Sequence, residues 1–269
     1  MRTQSAGMTA IELQGVQVLH WNPRRPIGLR PRRFFKWTKQ LPFAPRVDNF
    51  GDLLGPRVVA QFAPDHASEK RGPLAAVGSI IHMLPDDTVV WGPGVNGKHL
   101  DLPLPVSLDI RAVRGPLTGK YLAERGYADP GIYGDPALLL QHRPASDTRR
   151  DGALLIANLN DSPERIPNVR VVSPLEPLEV ILAAIQSSEL VIGSSLHAII
   201  MAETLGTPAR AIASAHEPTF KYEDYYEGTG RAGVKIATGA AQALELGGED
   251  RSPQIDPQLV ASFPRDLWS

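Results

Sequence analysis

Two serines and a histidine stand together in Gly193-Ser194-Ser195-Leu196-His197, where one apolar run ends and another begins. Such a run reads as a strand turning into a helix. The free N–H groups and positive end of a helix at that point attract anions. Ser194 or Ser195 can cap the helix, and His197 then falls in its first turn, where it can move a proton. A plainer reading makes the serines caps and His197 a core histidine; the residues alone leave both open. A serine-hydrolase elbow is excluded. It requires G-x-S-x-G, but the last position is His197, and only His216 lies downstream, ahead of Asp224.

Other chemistry-bearing residues lie at turn signals. Arg111-Ala-Val-Arg114-Gly-Pro116 places two arginines at a strand end before a helix opened by proline. Guanidinium binds carboxylate or phosphate in a forked manner. Strand alternation sends Arg111 and Arg114 to opposite faces, and Arg114, at the turn, is the one expected in a cleft. Asn49-Phe-Gly-Asp52 precedes an apolar helical run, so Asp52 either enters the cleft or caps the helix. Tyr133-Gly-Asp135-Pro136 is a turn with Asp135 as a cap for residues 137–140. Trp91-Gly-Pro-Gly-Val-Asn-Gly97 contains a formal G-x-G-x-x-G, but no helix follows it. It is read as a loop allowing close backbone approach along a cleft wall. Lys221-Tyr-Glu-Asp-Tyr-Tyr226 is too polar for core and reads as a loop, lining a sugar site or merely exposed. No His and carboxylate set has metal-ligand spacing, so no metal is expected.

The elements that must position these groups alternate between strand and helix, which predicts an α/β fold with parallel sheets. Strands are expected at 75–77, 88–91, 108–113, 153–157, 169–172, 190–192 and 209–213. Helices are expected at 116–125, 177–187 and 196–205, with a short one near 257–263. The polar stretch 141–152 reads as a linker. The division expected is an N-terminal α/β lobe over 1–145, a C-terminal lobe over 146–250, and a tail over 251–269 that packs back on the first lobe. A cleft then lies between the lobes at the strands' carboxyl ends.

The chain has 269 residues, net charge −1, 42% hydrophobic and 21% charged residues. No global field draws it to nucleic acid. Cysteine is absent, which excludes disulfides and suits a reducing cytoplasm. The first residues lack the charged-then-apolar layout expected of a signal peptide, and no apolar run reaches membrane-spanning length. One local bias stands out. Between Leu13 and Val47 no acidic residue occurs, while Arg24, Arg25, Arg30, Arg32, Arg33, Lys36, Lys39 and Arg46 mix with Trp21, Phe34, Phe35, Trp37 and Phe43. That mixture suits docking on an anionic membrane face; packing of the aromatics on the first lobe is the competing reading.

Taken in order, eight segments resemble the polysaccharide pyruvyl transferase family, most closely its xanthan-type ketal pyruvate transferases. They are Asn49–Asp52, Gly78-Ser-Ile80, Trp91–Asn96, Arg111–Pro116, Tyr133–Pro136, Ser194–His197, Phe220–Tyr226 with Gly228-Thr-Gly-Arg231, and Phe263-Pro-Arg-Asp-Leu-Trp268. They cover the chain from about residue 49 to its end. One departure is Ala198, where the family usually has glycine.

The resemblance implies two Rossmann-like lobes in a glycosyltransferase-B-type architecture. It implies phosphoenolpyruvate as donor, a polyprenyl-diphosphate-linked saccharide as acceptor and a pyruvate ketal as product, with no cofactor. It places the enzyme in the cytoplasm or at the inner face of the cytoplasmic membrane. Arg114, Ser194, Ser195, His197 and Lys221 are expected at the donor, His197 and Asp52 in proton transfer, and Asp224, Tyr225, Tyr226 and Arg231 at the acceptor. Two rival classes remain: a nucleotide-sugar glycosyltransferase of the same architecture, and a non-catalytic anion- or glycan-binding module.

Overall fold

The computed structural model describes residues 7–25, 43–65, 72–142, 150–163 and 165–269. Most of the basic aromatic segment and of the 141–152 linker therefore lies outside the described residues.

The fold is α/β with two sheets. The first has β1 (Met8–Leu13), β2 (Val16–Trp21), β3 (Leu74–Ala75), β4 (Thr88–Trp91) and β5 (Leu108–Ala112), side by side in that order. The β1–β2 pair is antiparallel and every other neighbour is parallel. The hairpin turns on Gln14 and Gly15, both at positive φ, the geometry that matches strand twist in two-residue loops. The second sheet has β6 (Ala153–Leu155), β7 (Val169–Val171), β8 (Leu190–Gly193) and β9 (Ala209–Ala211), in the order β7-β6-β8-β9 and wholly parallel. The expectation of parallel α/β sheets thus holds.

Helices α1 (Leu54–Phe62), α2 (Pro116–Ala123), α3 (Leu178–Gln186), α4 (Leu196–Thr204), α5 (Phe220–Gly228), α6 (Ala240–Leu246) and α7 (Pro257–Ala261) complete the fold. One apolar cluster spans both sheets, joining Val18, Leu74 and Trp91 of the first to Leu154 and Val191 of the second through α1 and α4. The C-terminal tail seals it. Trp91 Nε1 donates to Leu259 O at 2.8 Å and Trp268 Nε1 to Leu13 O at 3.1 Å. Phe62, Trp91, Phe263 and Trp268 form an aromatic group with ring centroids 5.0–5.6 Å apart.

The segment expected as a loop from Lys221 is helix α5, and its tyrosines are interior. Tyr222, Tyr225 and Tyr226 recur at helical spacing and are at most 1% exposed. Tyrosine buries an apolar ring readily once its hydroxyl finds an acceptor. Here Tyr222 donates to Ser194 O at 2.6 Å, and Tyr225 donates to the Glu203 carboxylate. Among the described residues no helix is long and apolar enough to cross a membrane.

Candidate functional site

A cleft of about 270 Å³ is lined by residues from both halves of the chain. The first half of the chain supplies Asn49, Asp52, Ser79, Asn96, Lys98 and His99; the second supplies Asn158, Ser195, His197, Glu217 and Lys221. A backbone bond from Phe50 N to Pro174 O, 3.0 Å, ties the halves beside it.

His197 and Ser195 sit where β8 turns into α4, as the apolar-run boundary requires. Ser195 occupies the N-cap position but makes no capping bond, so its hydroxyl stays on the cleft wall. Ser194 does not join it. Its hydroxyl donates to Asp161 at 2.6 Å and accepts from Asn158 N at 3.0 Å. That placement corrects the expectation of a donor-binding Ser194. The hydroxyl is consumed by a network in which Asp161 also accepts from Ser214 at 2.9 Å and pairs with His216 at 2.8 Å.

His197 is mostly buried, with 14% of its side chain exposed on the cleft wall. Burial first, then the charges of Arg114 and Lys221, press its pKa down to about 3, so the imidazole is neutral at physiological pH. Gly51 roofs it: a Cβ there would stand 2.5 Å from His197 Nδ1 and 2.9 Å from its Cβ, so no larger residue fits without moving the ring. Asp52 follows Gly51 on a 3₁₀ turn, Phe50–Leu53. It does not cap α1, whose N-cap position is Leu53. Its carboxylate accepts from Asn49 Nδ2 at 2.8 Å, and burial raises its pKa to about 7 against the pull of Asn49 and Lys221. An acid with that pKa both holds and releases a proton near neutrality.

Two lysines face the cleft from opposite halves and share one carboxylate. Glu217 meets Lys98 at 2.9 Å and Lys221 at 3.2 Å. Burial opposes ionisation of Glu217, but the two lysines outweigh it and hold its pKa below the usual range. Burial pulls the Lys221 pKa down against the support of Glu217. Lys98, His99 and Glu217 escaped the sequence reading. The available signal was a lysine directly after the glycine-rich loop.

Arg114 is placed differently from the expectation. It is 1% exposed and does not line the cleft. Its Nε donates to Asp224 at 3.0 Å, Nη1 to Ser79 Oγ at 2.6 Å and Nη2 to Val95 O at 3.2 Å. A Cβ on Gly94 would overlap the guanidinium at 2.4 Å, which explains that glycine. Arg114 therefore stands behind the wall and aims Ser79 into the cleft. Arg111 pairs with Asp109 and Asp266 at the surface.

The four residues expected at an acceptor site are interior as well, a correction with a clear cause. Asp224 is fully buried and accepts from Arg114, Thr118 N and Thr118 Oγ1. Arg231 forks onto Glu203 with two bonds of 2.8 Å. Tyr225 bonds the same carboxylate, and Tyr226 lies under the Arg231 guanidinium at 4.9 Å. Local polarity signalled exposure, whereas distant partners made burial affordable.

A model of the family described as polysaccharide pyruvyl transferase matches residues 80–216, about half of the chain. The chain belongs to the polysaccharide pyruvyl transferase family. Within the matched span lie Ser79's anchor Arg114, Asp135, Ser195 and His197; Asp52 and Lys221 lie outside it. The chain is also 29% identical over 173 residues to the succinoglycan biosynthesis protein ExoV of Rhizobium meliloti (strain 1021), covering 58% of this chain and 54% of that one. It thus spans about half the length of that curated relative. A crystal structure of a functional uncharacterized protein from Klebsiella pneumoniae subsp. pneumoniae NTUH-K2044 matches with TM-score 0.46 and 12% identity. It covers 66% of this chain and 83% of that one, a likeness too distant to carry a shared fold.

Proposed function

We propose that the chain transfers the enolpyruvyl unit of phosphoenolpyruvate to a sugar of a lipid-linked polysaccharide repeat, closing a pyruvate ketal. In this reading the two sheets belong to two Rossmann-like lobes of glycosyltransferase-B type. The observation that carries it is the convergence in one cleft of two lysines, a helix N-terminus, a neutral histidine and an acid with a pKa of about 7. A donor with a carboxylate and a phosphate needs cations and N–H groups, and the reaction needs an acid and a base.

Lys98, Lys221, Ser79, Ser195 and the start of α4 hold the donor. Arg114, standing behind the wall, adds positive charge to the site, the same charge that helps lower the His197 pKa. Asp52 gives its proton to the methylene carbon, and the C2–C3 electron pair forms the new C–H bond. C2 becomes oxocarbenium-like. A sugar hydroxyl adds to C2 and loses its proton to His197. A second hydroxyl then displaces phosphate, which leaves with that hydroxyl's proton, and the ketal closes. The acceptor enters through a larger hollow of about 690 Å³ that shares Asn158 and Leu159 with the cleft and adds Asp161, Arg165, Ser173 and Glu176.

Docking on an anionic membrane face completes the proposal. Among the described basic residues, Arg25 donates to Val47 O and Arg46 to Asn22 O, both at 2.6 Å, while Phe43 is 73% exposed. Co-sedimentation with anionic against neutral vesicles tests it. The catalytic proposal is tested by phosphate release from phosphoenolpyruvate across a panel of lipid-linked and aryl glycosides. Release that depends on acceptor is expected, with loss in Lys221→Ala. Competition by a nucleoside diphosphate, or binding of phosphoenolpyruvate without turnover on any acceptor, would overturn it.

A further inference from the structure

Asp135 and His197 come from opposite halves of the chain, yet each buries a polar atom without a hydrogen-bond partner, and the two atoms face each other. Asp135 is 0% exposed and starts the 3₁₀ turn Pro136–Leu139, which packs against α4. Its Oδ1 accepts from Ala137 N at 3.0 Å, which satisfies the cap. Its Oδ2 is buried and unpartnered, as is His197 Nε2, and they lie 3.9 Å apart. A buried polar atom left without a hydrogen bond is destabilising, so such a pair calls for a reason. Capping does not account for an aspartate here, since asparagine or serine caps as well and adds no buried charge.

We propose that Asp135 is the positioning residue of His197: its carboxylate fixes the proton on Nε2 and leaves the Nδ1 lone pair toward the cleft. The proposal rests on the pyruvyl-transfer reading and assigns His197 the role of base toward the acceptor hydroxyl. Nδ1 is the nitrogen beside Gly51, whose near neighbours in the chain, Asn49 and Asp52, line the cleft. When Nδ1 takes the hydroxyl proton, an imidazolium forms in a buried place already pressed by positive charge. Arg114 and Lys221 face His197, and Arg114 and Asp224 face Asp135. The Asp135 carboxylate is then the counter-charge in contact with the ring, the service an aspartate performs for histidine in other proton-transfer sites. Burial raises the Asp135 pKa to about 6, so the carboxylate is ionised at neutral pH and above.

Asp135→Asn separates positioning from capping. The asparagine keeps the cap through its oxygen, but its amide donates to Nε2 and drives the ring to the Nδ1–H form. Long-range ¹H–¹⁵N spectra of histidine-labelled protein at pH 7.5 read the tautomer, with His197→Gln assigning the signal. The wild type should show Nε2–H and the variant Nδ1–H. In the phosphate-release assay kcat should fall at least 100-fold, with the KM for phosphoenolpyruvate changed less than about threefold and the melting temperature nearly unchanged. An Nδ1–H tautomer in the wild type overturns the proposal. So does a variant that keeps kcat within threefold. Should the variant fail to fold, the wild-type tautomer decides. Should the wild type release no phosphate with any acceptor, the functional proposal falls, and the spectra still judge the pair.

Discussion

Asp224 and Asp135 are both fully buried carboxylates near Arg114, and the molecule treats them in opposite ways. Asp224 receives three hydrogen bonds from Arg114 and Thr118, the one from Arg114 being also an ion pair, so its charge is met by fixed partners. Asp135 receives one, keeps an unpartnered oxygen and has its pKa raised to about 6. The same contrast separates whole regions. Around α5 the charges close on each other: Arg231 with Glu203, Arg114 with Asp224. Around the cleft they stay in tension: Asp52 raised, His197 depressed, and Glu217 divided between two lysines. Complete satisfaction marks a polar group that builds the fold. Incomplete satisfaction of charged and titrating groups beside the cleft, as at Asp135 and His197, marks groups kept ready for chemistry.

This contrast can be broken by experiment. Asp224→Ala strips the partner from a buried arginine and should cost about 3–5 kcal/mol. A thermal melt should show a drop on the order of 10 °C. If the melt is unchanged, Asp224 is not structural and the distinction fails.

Asp52→Asn should act in the other direction. The folded pKa of about 7 lies above the unfolded value of 3.8, so the native state binds the extra proton between those limits. Stability from this group therefore falls as pH rises from about 4 to about 7, and the penalty is fully present above that. Removing the charge should stabilise by on the order of 2–4 kcal/mol at pH 8 and by almost nothing at pH 4, while lowering turnover. A gain in melting temperature independent of pH would refute the raised pKa.

Gly51→Ala sharpens the cleft side alone. The added methyl must displace the His197 ring, so kcat should drop about 100-fold, near 2.7 kcal/mol in barrier, with a smaller loss of stability. Equal losses in kcat and stability would make Gly51 a packing residue only. The smallest effect is expected at Tyr226, whose buried hydroxyl has no hydrogen-bond partner. Tyr226→Phe should change stability by less than about 0.5 kcal/mol or raise it slightly. Tyr225→Phe should cost about 1–2 kcal/mol by taking a donor from Glu203. Urea unfolding of the two variants makes that comparison.

Much of the frame was legible in the residues. Apolar runs bounded by glycine and proline place β4, β5, β6, β8 and β9 and helices α2, α3 and α4 within a few positions, because those signals are local. The β8–α4 boundary also placed Ser195 and His197 on the cleft wall. The β1–β2 hairpin and α6 were overlooked; the first lacks the usual Asn-Gly turn and the second is short. The errors at α5 share one cause. Whether Tyr225, Asp224 or Arg231 meets water depends on Glu203, Thr118 and Arg114, which are neighbours only after folding. Sequence by itself determined the parallel α/β class, the family motifs and the histidine at a helix start. Tertiary structure alone decided which charges are satisfied, that Arg114 stands behind Ser79, and that Asp135 faces His197. Strand and helix signals depend on neighbours a few residues apart, whereas the satisfaction of these buried polar groups depends on partners 22 to 110 positions away.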